Sequence, residues 1–200
     1  MKSLLHTAFL ASALTLGFAS AAGAQIVNID SHLTGCTSFS ECGGQHEPAG
    51  YHMTSGLINP AQLTLGAGTY NITNAWPLSN PDAYFSAWNY GQAWIWAFMM
   101  IDDATRNVVV EGCCSNAYGT QLGAATDPYA QNYFAQFTLT QTTTLDFITE
   151  DAGPQDNFGG VSLNIVDANA TVTPEPATLA LMATGLVGIG AVRRRRKQQG

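Results

Sequence analysis

An all-β fold, a β-sandwich of jelly-roll type, is predicted for the body of this chain by three observations. Between Gln25 and Val172 the apolar residues fall into short runs or alternate with polar ones, and no long stretch keeps a 3.6-residue period. Thr, Asn, Gly and aromatic residues are abundant there, which is the composition of strands and turns. Two apolar segments of another kind lie outside the body, each beside basic residues, and read as targeting segments. The 200 residues therefore divide into a secretory signal peptide at 1–24, a β-sandwich at 25–172 and a membrane-directed segment at 173–200.

The signal peptide has a positive start at Lys2, an apolar run from Leu4 to Phe18, and the small residues Ala22-Gly23-Ala24 before Gln25. That order matches a cleaved leader, and Thr15, Gly17 and Ser20 interrupt the run too often for an anchor helix. In the body, Gln62 to Ile72 alternates around Gly66-Ala67-Gly68 and predicts a hairpin or a bulged strand. Ala93 to Ile101 is apolar at both odd and even positions, the pattern of a central strand covered on each face. A polar turn at Asp102 to Asn107 and the run Val108 to Glu111 complete a hairpin with it. Gln131 to Thr140, Thr144 to Thr149 and Gly160 to Val166 supply further strands, the last two joined by the loop Glu150 to Gly159. Several short strands separated by turns pack as two sheets, and no internal repeat is present.

Charge is segregated along the chain. Net charge is −7, with 7 Lys+Arg and 14 Asp+Glu, but the cations are Lys2, Arg106 and the run Arg193 to Lys197. From Gln25 to Thr173 lie 13 of the 14 acidic residues, Glu175 being the other, against Arg106 alone, a balance of −12. Such a surface repels phosphate backbones, so nucleic acid is excluded as a partner.

The C-terminal segment has three parts. Thr173-Pro174-Glu175-Pro176 comes first, and its prolines hold it extended and outside any helix interior. The uncharged run 177–192 follows, about 24 Å long as a helix, a short transmembrane span when its flanking cations snorkel. The stop-transfer residues Arg193, Arg194, Arg195 and Arg196 open the tail at 193–200 and place it in the cytoplasm by the positive-inside rule. This order of proline motif, apolar helix and arginine run resembles the PEP-CTERM sorting signal. The resemblance implies that the sorting motif Pro174, Glu175, Pro176 is read by exosortase, a membrane-embedded transpeptidase-like enzyme of Gram-negative bacteria that make exopolysaccharide. It implies an inner-membrane-anchored precursor that is processed and moved to the cell surface or extracellular matrix. No Leu-Pro-x-Thr-Gly is present for a sortase of the Gram-positive kind. The threonine-rich stretch Thr138 to Phe147 and Asp156 to Leu163 are similar to a common ending of PEP-CTERM ectodomains, which implies only a β-sandwich.

Four cysteines in an exported chain read as disulfides. Cys113 and Cys114 are adjacent, so the preferred pairing joins each to Cys36 or Cys42, with a local Cys36–Cys42 bridge as the alternative. Zinc is not expected, since His46-Glu47-Pro48-Ala49-Gly50-Tyr51-His52 misses the H-E-x-x-H spacing. Glu150, Asp151, Asp156 and Asn157 share one glycine-containing loop and form a candidate calcium site, calcium being the one cofactor considered. Tyr84, Trp88 and Tyr90 are candidates for a carbohydrate-stacking platform, whereas Trp94 and Trp96 alternate into the core. Asn71-Ile72-Thr73 and Asn169-Ala170-Thr171 match sequons that a bacterial host leaves unused. No nucleophile elbow, P-loop or dinucleotide fingerprint occurs. The expectation is thus a non-enzymatic exported protein with exosortase, the membrane and exopolysaccharide as partners. The alternatives are a carbohydrate- or calcium-binding matrix module and a small secreted glycan-acting hydrolase.

Overall fold

A computed structural model describes residues 24–42, 47–76 and 82–170. The signal peptide, the sorting motif, the apolar run at 177–192 and Arg193 to Arg196 lie outside the described residues. Among the described residues no helix is long and apolar enough to cross a membrane.

The described residues are all-β with three short α-helices and one 3-10 turn at Pro154–Asp156. In order the chain forms β1 (Gln25–Asp30), β2 (Gly35–Cys36), α1 (Phe39–Cys42), β3 (Leu57–Ile58), β4 (Ala61–Leu65) and β5 (Gly68–Asn74). There follow β6 (Trp88–Asn89), β7 (Trp94–Ile95), β8 (Phe98–Asp102), β9 (Val108–Gly112), α2 (Gln121–Ala125) and α3 (Pro128–Gln131). The last strands are β10 (Phe134–Leu139), β11 (Thr143–Ile148) and β12 (Phe158–Asp167). One antiparallel sheet runs β10, β5, β12, with β1 also paired to β12 and the short β6 and β7 continuing from β12. The other runs β4, β11, β8, β9, and β2 with β3 form a two-stranded ribbon.

The two large sheets share one core. Ile72, Leu163 and Ile165 of the first meet Phe98, Met100, Leu145 and Phe147 of the second. A separate cluster of Cys36, Cys42, Met53, Met99, Ile101, Val108 and Ile148 lies under the N-terminal loop. β8 therefore buries both of its faces, Phe98 and Met100 into the main core and Met99 and Ile101 into the second cluster. That is the central strand its two-sided apolar pattern predicts. Its hairpin with β9 is also present, Phe98 facing Gly112 and Met100 facing Val110.

Two strand expectations change. Gln62 to Ile72 is no hairpin, because β4 pairs with β11 while β5 pairs with β10 and β12. Gly66 and Ala67 turn the chain from one sheet to the other, so the alternation on each side of the glycines belongs to two different sheet faces. Ala93 to Ile101 is not one strand either. β7 pairs with β6, and at Trp96 the backbone leaves that sheet to bond Ser115, whose Oγ accepts from Trp96 N at 2.8 Å and whose N donates to Trp96 O at 3.1 Å. Trp96 is fully buried as expected, but Trp94 is only half-buried.

Cysteine pairing differs from the preferred expectation as well. Cys36 bonds Cys42 across a Cα separation of 6.2 Å, and Cys113 bonds Cys114. The physical reason is local: the turn of α1, in which Cys42 N donates to Ser38 O at 3.1 Å, carries Cys42 back over Cys36, so each cysteine finds its partner within its own segment.

The loop closed by Cys36 and Cys42 is latched by a carboxylate. Glu41 is buried, with Oε1 accepting from Thr54 N at 3.1 Å and from Thr54 Oγ1, and Oε2 accepting from Ser55 N at 2.7 Å. Burial alone would raise its pKa, but the bonds from Ser55 and Thr54 outweigh that and hold it at about 2, down from 4.5. Because the folded value lies below the ordinary one, the latch contributes fully above about pH 4.5 and is lost as pH falls towards 2. Glu41→Gln is expected to cost about 2 kcal/mol at neutral pH, and much less at about pH 2, in urea unfolding followed at both pH values.

Candidate functional site

A groove of about 670 Å³ opens beside β9, between the segment at Glu47 and the α3–β10 region. Its floor is strand-built. Along β9 burial alternates, Val108 and Val110 buried and Val109 and Glu111 half-buried; Val109, Val110 and Glu111 line the groove, the two Glu111 carboxylate oxygens being buried. The 50–53 segment bonds the start of β9, Gly50 N to Val108 O at 2.8 Å and Val108 N to Tyr51 O at 2.8 Å, which brings Glu47 to one wall.

The other wall is aromatic, and local sequence explains why it is firm. Asp127 caps α3 by accepting from Tyr129 N at 2.7 Å, and Pro128 occupies the first turn, where a missing N–H costs nothing. The second Asp127 oxygen accepts from Tyr118 Oη at 2.7 Å and Asn116 Nδ2 at 3.2 Å. Burial raises the Asp127 pKa, but these donors outweigh it and leave the carboxyl below its usual range. Tyr129 and Tyr133 then lie within 6 Å of the buried Trp96, at centroid distances of 6.0 and 4.8 Å. Tyr133 Oη donates to Glu111 O at 3.0 Å, tying wall to floor. Tyr129 stays 39% exposed and Phe134, the first residue of β10, 61% exposed.

Behind the floor sits Glu150, only 3% exposed. Burial pushes its pKa well above the ordinary value, and the Glu111 carboxyl, in hydrogen-bonding contact with it, and the Glu47 charge push it further. Burial, with the Glu150 and Glu111 charges, pushes the Tyr129 phenol up to about 12.

The candidate residues read from sequence are distributed differently. Glu150 turns towards Glu111 and the Cys113–Cys114 pair, its Oε2 lying 3.6 Å from Cys114 Sγ. Asp151 Oδ2 instead accepts from Asn157 Nδ2 at 2.7 Å, and Asp156 is exposed. Among the described residues the four expected calcium ligands do not converge, because Thr149 and Asp151 anchor the loop to Thr34 and Cys36 and send successive side chains to opposite sides. The stacking platform fails for a similar reason. Trp88 is 1% exposed and its Nε1 donates to Ala97 O at 3.0 Å, Tyr90 packs half-buried against the core, and only Tyr84 stands out at 76% exposed. Sequence reading missed the groove, although Asp127-Pro128 signals a capped helix start; Tyr133 already lies past the end of α3, so no helical face announces the aromatic wall.

The sorting segment is decided by comparison with known families. Residues 172–196 match the PEP-CTERM protein-sorting motif. The chain carries a PEP-CTERM sorting signal. It is therefore an exported protein that exosortase, a membrane protein of Gram-negative bacteria, processes. The PEP-CTERM match covers the tail and leaves the folded body unassigned. None of the curated proteins matches the chain. Among solved structures, a Burkholderia pseudomallei antigen and type I fimbria protein is similar over 72% of this chain and 97% of that chain, at 14% identity and a TM-score of 0.18. That likeness carries no weight for fold or function.

Proposed function

We propose that this protein is a non-enzymatic, exopolysaccharide-associated component of the cell surface or extracellular matrix, released from or transferred off the inner membrane when exosortase acts near Pro174, Glu175 and Pro176. The observation that carries this reading is the PEP-CTERM motif at 172–196. The segment 177–192 is the transient membrane anchor, and residues 1–24 are the leader removed on export. The body is a jelly roll. In support, its eight longer strands form two sheets of four, β1-β12-β5-β10 and β4-β11-β8-β9, in which consecutive long strands pass between sheets except at the β8–β9 hairpin.

The non-enzymatic reading has geometric support at the groove. Paired-carboxylate glycoside hydrolysis needs the two groups about 5 Å or more apart to admit a sugar carbon or a water. Glu111 and Glu150 touch, so neither fits between them. A surface of −12 with Arg106 as its only strong cation suits solubility in a hydrated matrix.

Replacing Pro174, Glu175 and Pro176 together by alanine in the native host tests the proposal. The variant is expected to accumulate as the membrane-held precursor, seen as a larger band in the membrane fraction. Normal processing of the triple variant contradicts the sorting role.

A further inference from the structure

The first sheet turns a chemically uniform face to solvent. In β10, Phe137 and Leu139 point into the core, so Phe134, Gln136 and Thr138 point out. In β5, Tyr70 and Ile72 point in, so Thr69, Asn71 and Thr73 point out. The register sets these residues opposite one another, Phe134 against Thr73, Gln136 against Asn71 and Thr138 against Thr69. Side-chain bonds join two of the three rungs, Gln136 Nε2 donating to Asn71 Oδ1 at 3.0 Å and the Thr69 and Thr138 hydroxyls lying 3.0 Å apart. A body with a balance of −12 thus has a face on which none of these residues is charged.

An exposed ring continues the row. Ser162 of β12 also points outward, and its Oγ accepts from Tyr84 N at 3.1 Å and Phe85 N at 2.9 Å, which lays this segment over the same face. Tyr84 is 76% exposed and Phe134 61%. Along the strands the order is Tyr84, Phe134, the Gln136–Asn71 rung and the Thr138–Thr69 rung. Ala75, beside Ser162, and Thr69 are six residues apart, so the row is roughly 20 Å long at about 3.3 Å per residue.

That composition selects a partner. An amine, a phosphate or a metal ion finds no counter-charge on this row, and a protein partner would need an apolar centre where amides and hydroxyls stand. Sugar hydroxyls both donate and accept hydrogen bonds. A single bond uses one of the two Gln136 N–H donors and one Asn71 lone pair, so both amides keep donors and acceptors for a ligand. Aromatic faces carry partial negative charge and stack on the C–H faces of sugar rings. The length of the row suits a polymer better than a single sugar.

We propose that this face binds an uncharged polysaccharide, its rings stacked on Tyr84 and Phe134 and its hydroxyls bonded to Gln136, Asn71 and the threonine rung. The proposal rests on the exopolysaccharide association put forward above and names the surface that carries it. It does not involve the sorting segment, so a chain that binds without being processed and one that is processed without binding are separate results.

Affinity electrophoresis of the full-length protein in a polyoxyethylene detergent, whose head group is no sugar, tests it. The gels contain dextran, hydroxyethylcellulose, galactomannan or arabinoxylan as uncharged polymers, and polygalacturonate as a charged one. At least one uncharged polymer is expected to retard the protein, whereas polygalacturonate, repelled by the acidic body, is expected not to. Tyr84→Ala and Phe134→Ala remove exposed rings and leave the core intact, and each is expected to raise the Kd for the retarding polymer about tenfold. Phe39→Ala removes a ring that is 71% exposed on α1, away from this face, and is expected to change nothing. The proposal is overturned if no uncharged polymer retards the protein, if polygalacturonate retards it as strongly, if either ring variant keeps the parent's Kd, or if Phe39→Ala raises it as much.

Discussion

Trp96→Ala destabilises the two-sheet fold by about 3 to 5 kcal/mol, the cost of emptying a large aromatic site that cannot collapse. Trp96 is fully buried between sheet and helix, with Phe98 at 5.4 Å, Tyr133 at 4.8 Å and Tyr129 at 6.0 Å between ring centroids. It is the shared neighbour of the core strand β8 and of both tyrosines that wall the groove. Its loss therefore unsettles the groove along with the core. Its Nε1 finds no acceptor among the described residues, so Trp96→Phe, which keeps a ring and discards that N–H, costs less than half as much. Chemical unfolding followed by circular dichroism separates the two variants. Equal losses would mean that ring packing is not what holds this region together.

Gly160→Val is the second large effect, at about 3 kcal/mol or more. Gly160 lies in β12 opposite Asp30 of β1. A Cβ there runs into the Ile29 carbonyl oxygen and comes within 2.8 Å of Phe85 Cγ. The backbone oxygen belongs to a paired strand and cannot rotate aside, so β1 must separate from β12. Gly66→Ala is the internal control, because no atom lies within 4 Å of the added carbon. It is expected to be neutral or slightly stabilising through the unfolded chain. Thermal unfolding of the two variants side by side reads the difference, and a Gly160→Val protein as stable as the parent would contradict the close β1–β12 approach.

The strands that could be read from sequence were those whose neighbours in the fold are also neighbours in the chain. β8 and β9 are apolar runs joined by a polar turn, and they pair. β4 and β5 look the same locally, yet they separate, because a two-residue glycine corner can change sheets as readily as it closes a hairpin. Nothing in their alternation distinguishes the two outcomes; the long-range partners β11 and β12 decide it. Helices α2 and α3 were hidden by their shortness, since four or five residues leave no period to detect. The groove escaped for a related reason. Glu47, Glu111 and Glu150 come from three distant segments, and the burial that makes Glu150 unusual exists only after both sheets have closed. Trp88 shows the converse. It sits beside Asn89 and Gly91 in a polar stretch that reads as exposed, but its indole N–H has a carbonyl partner at Ala97 and the ring goes inside. The sorting motif alone was legible without folding, because exosortase recognition depends on a linear order of residues.

The central claim is that this is an exported protein whose C-terminal segment is removed by a sorting enzyme. Intact-mass analysis of the mature protein purified from its native host tests that claim most directly. The account predicts a species that begins at Gln25, ends close to Pro174-Glu175-Pro176, and lacks the arginine run, with any attached group visible as added mass. A mature protein that still carries Arg193 to Gly200 would contradict it.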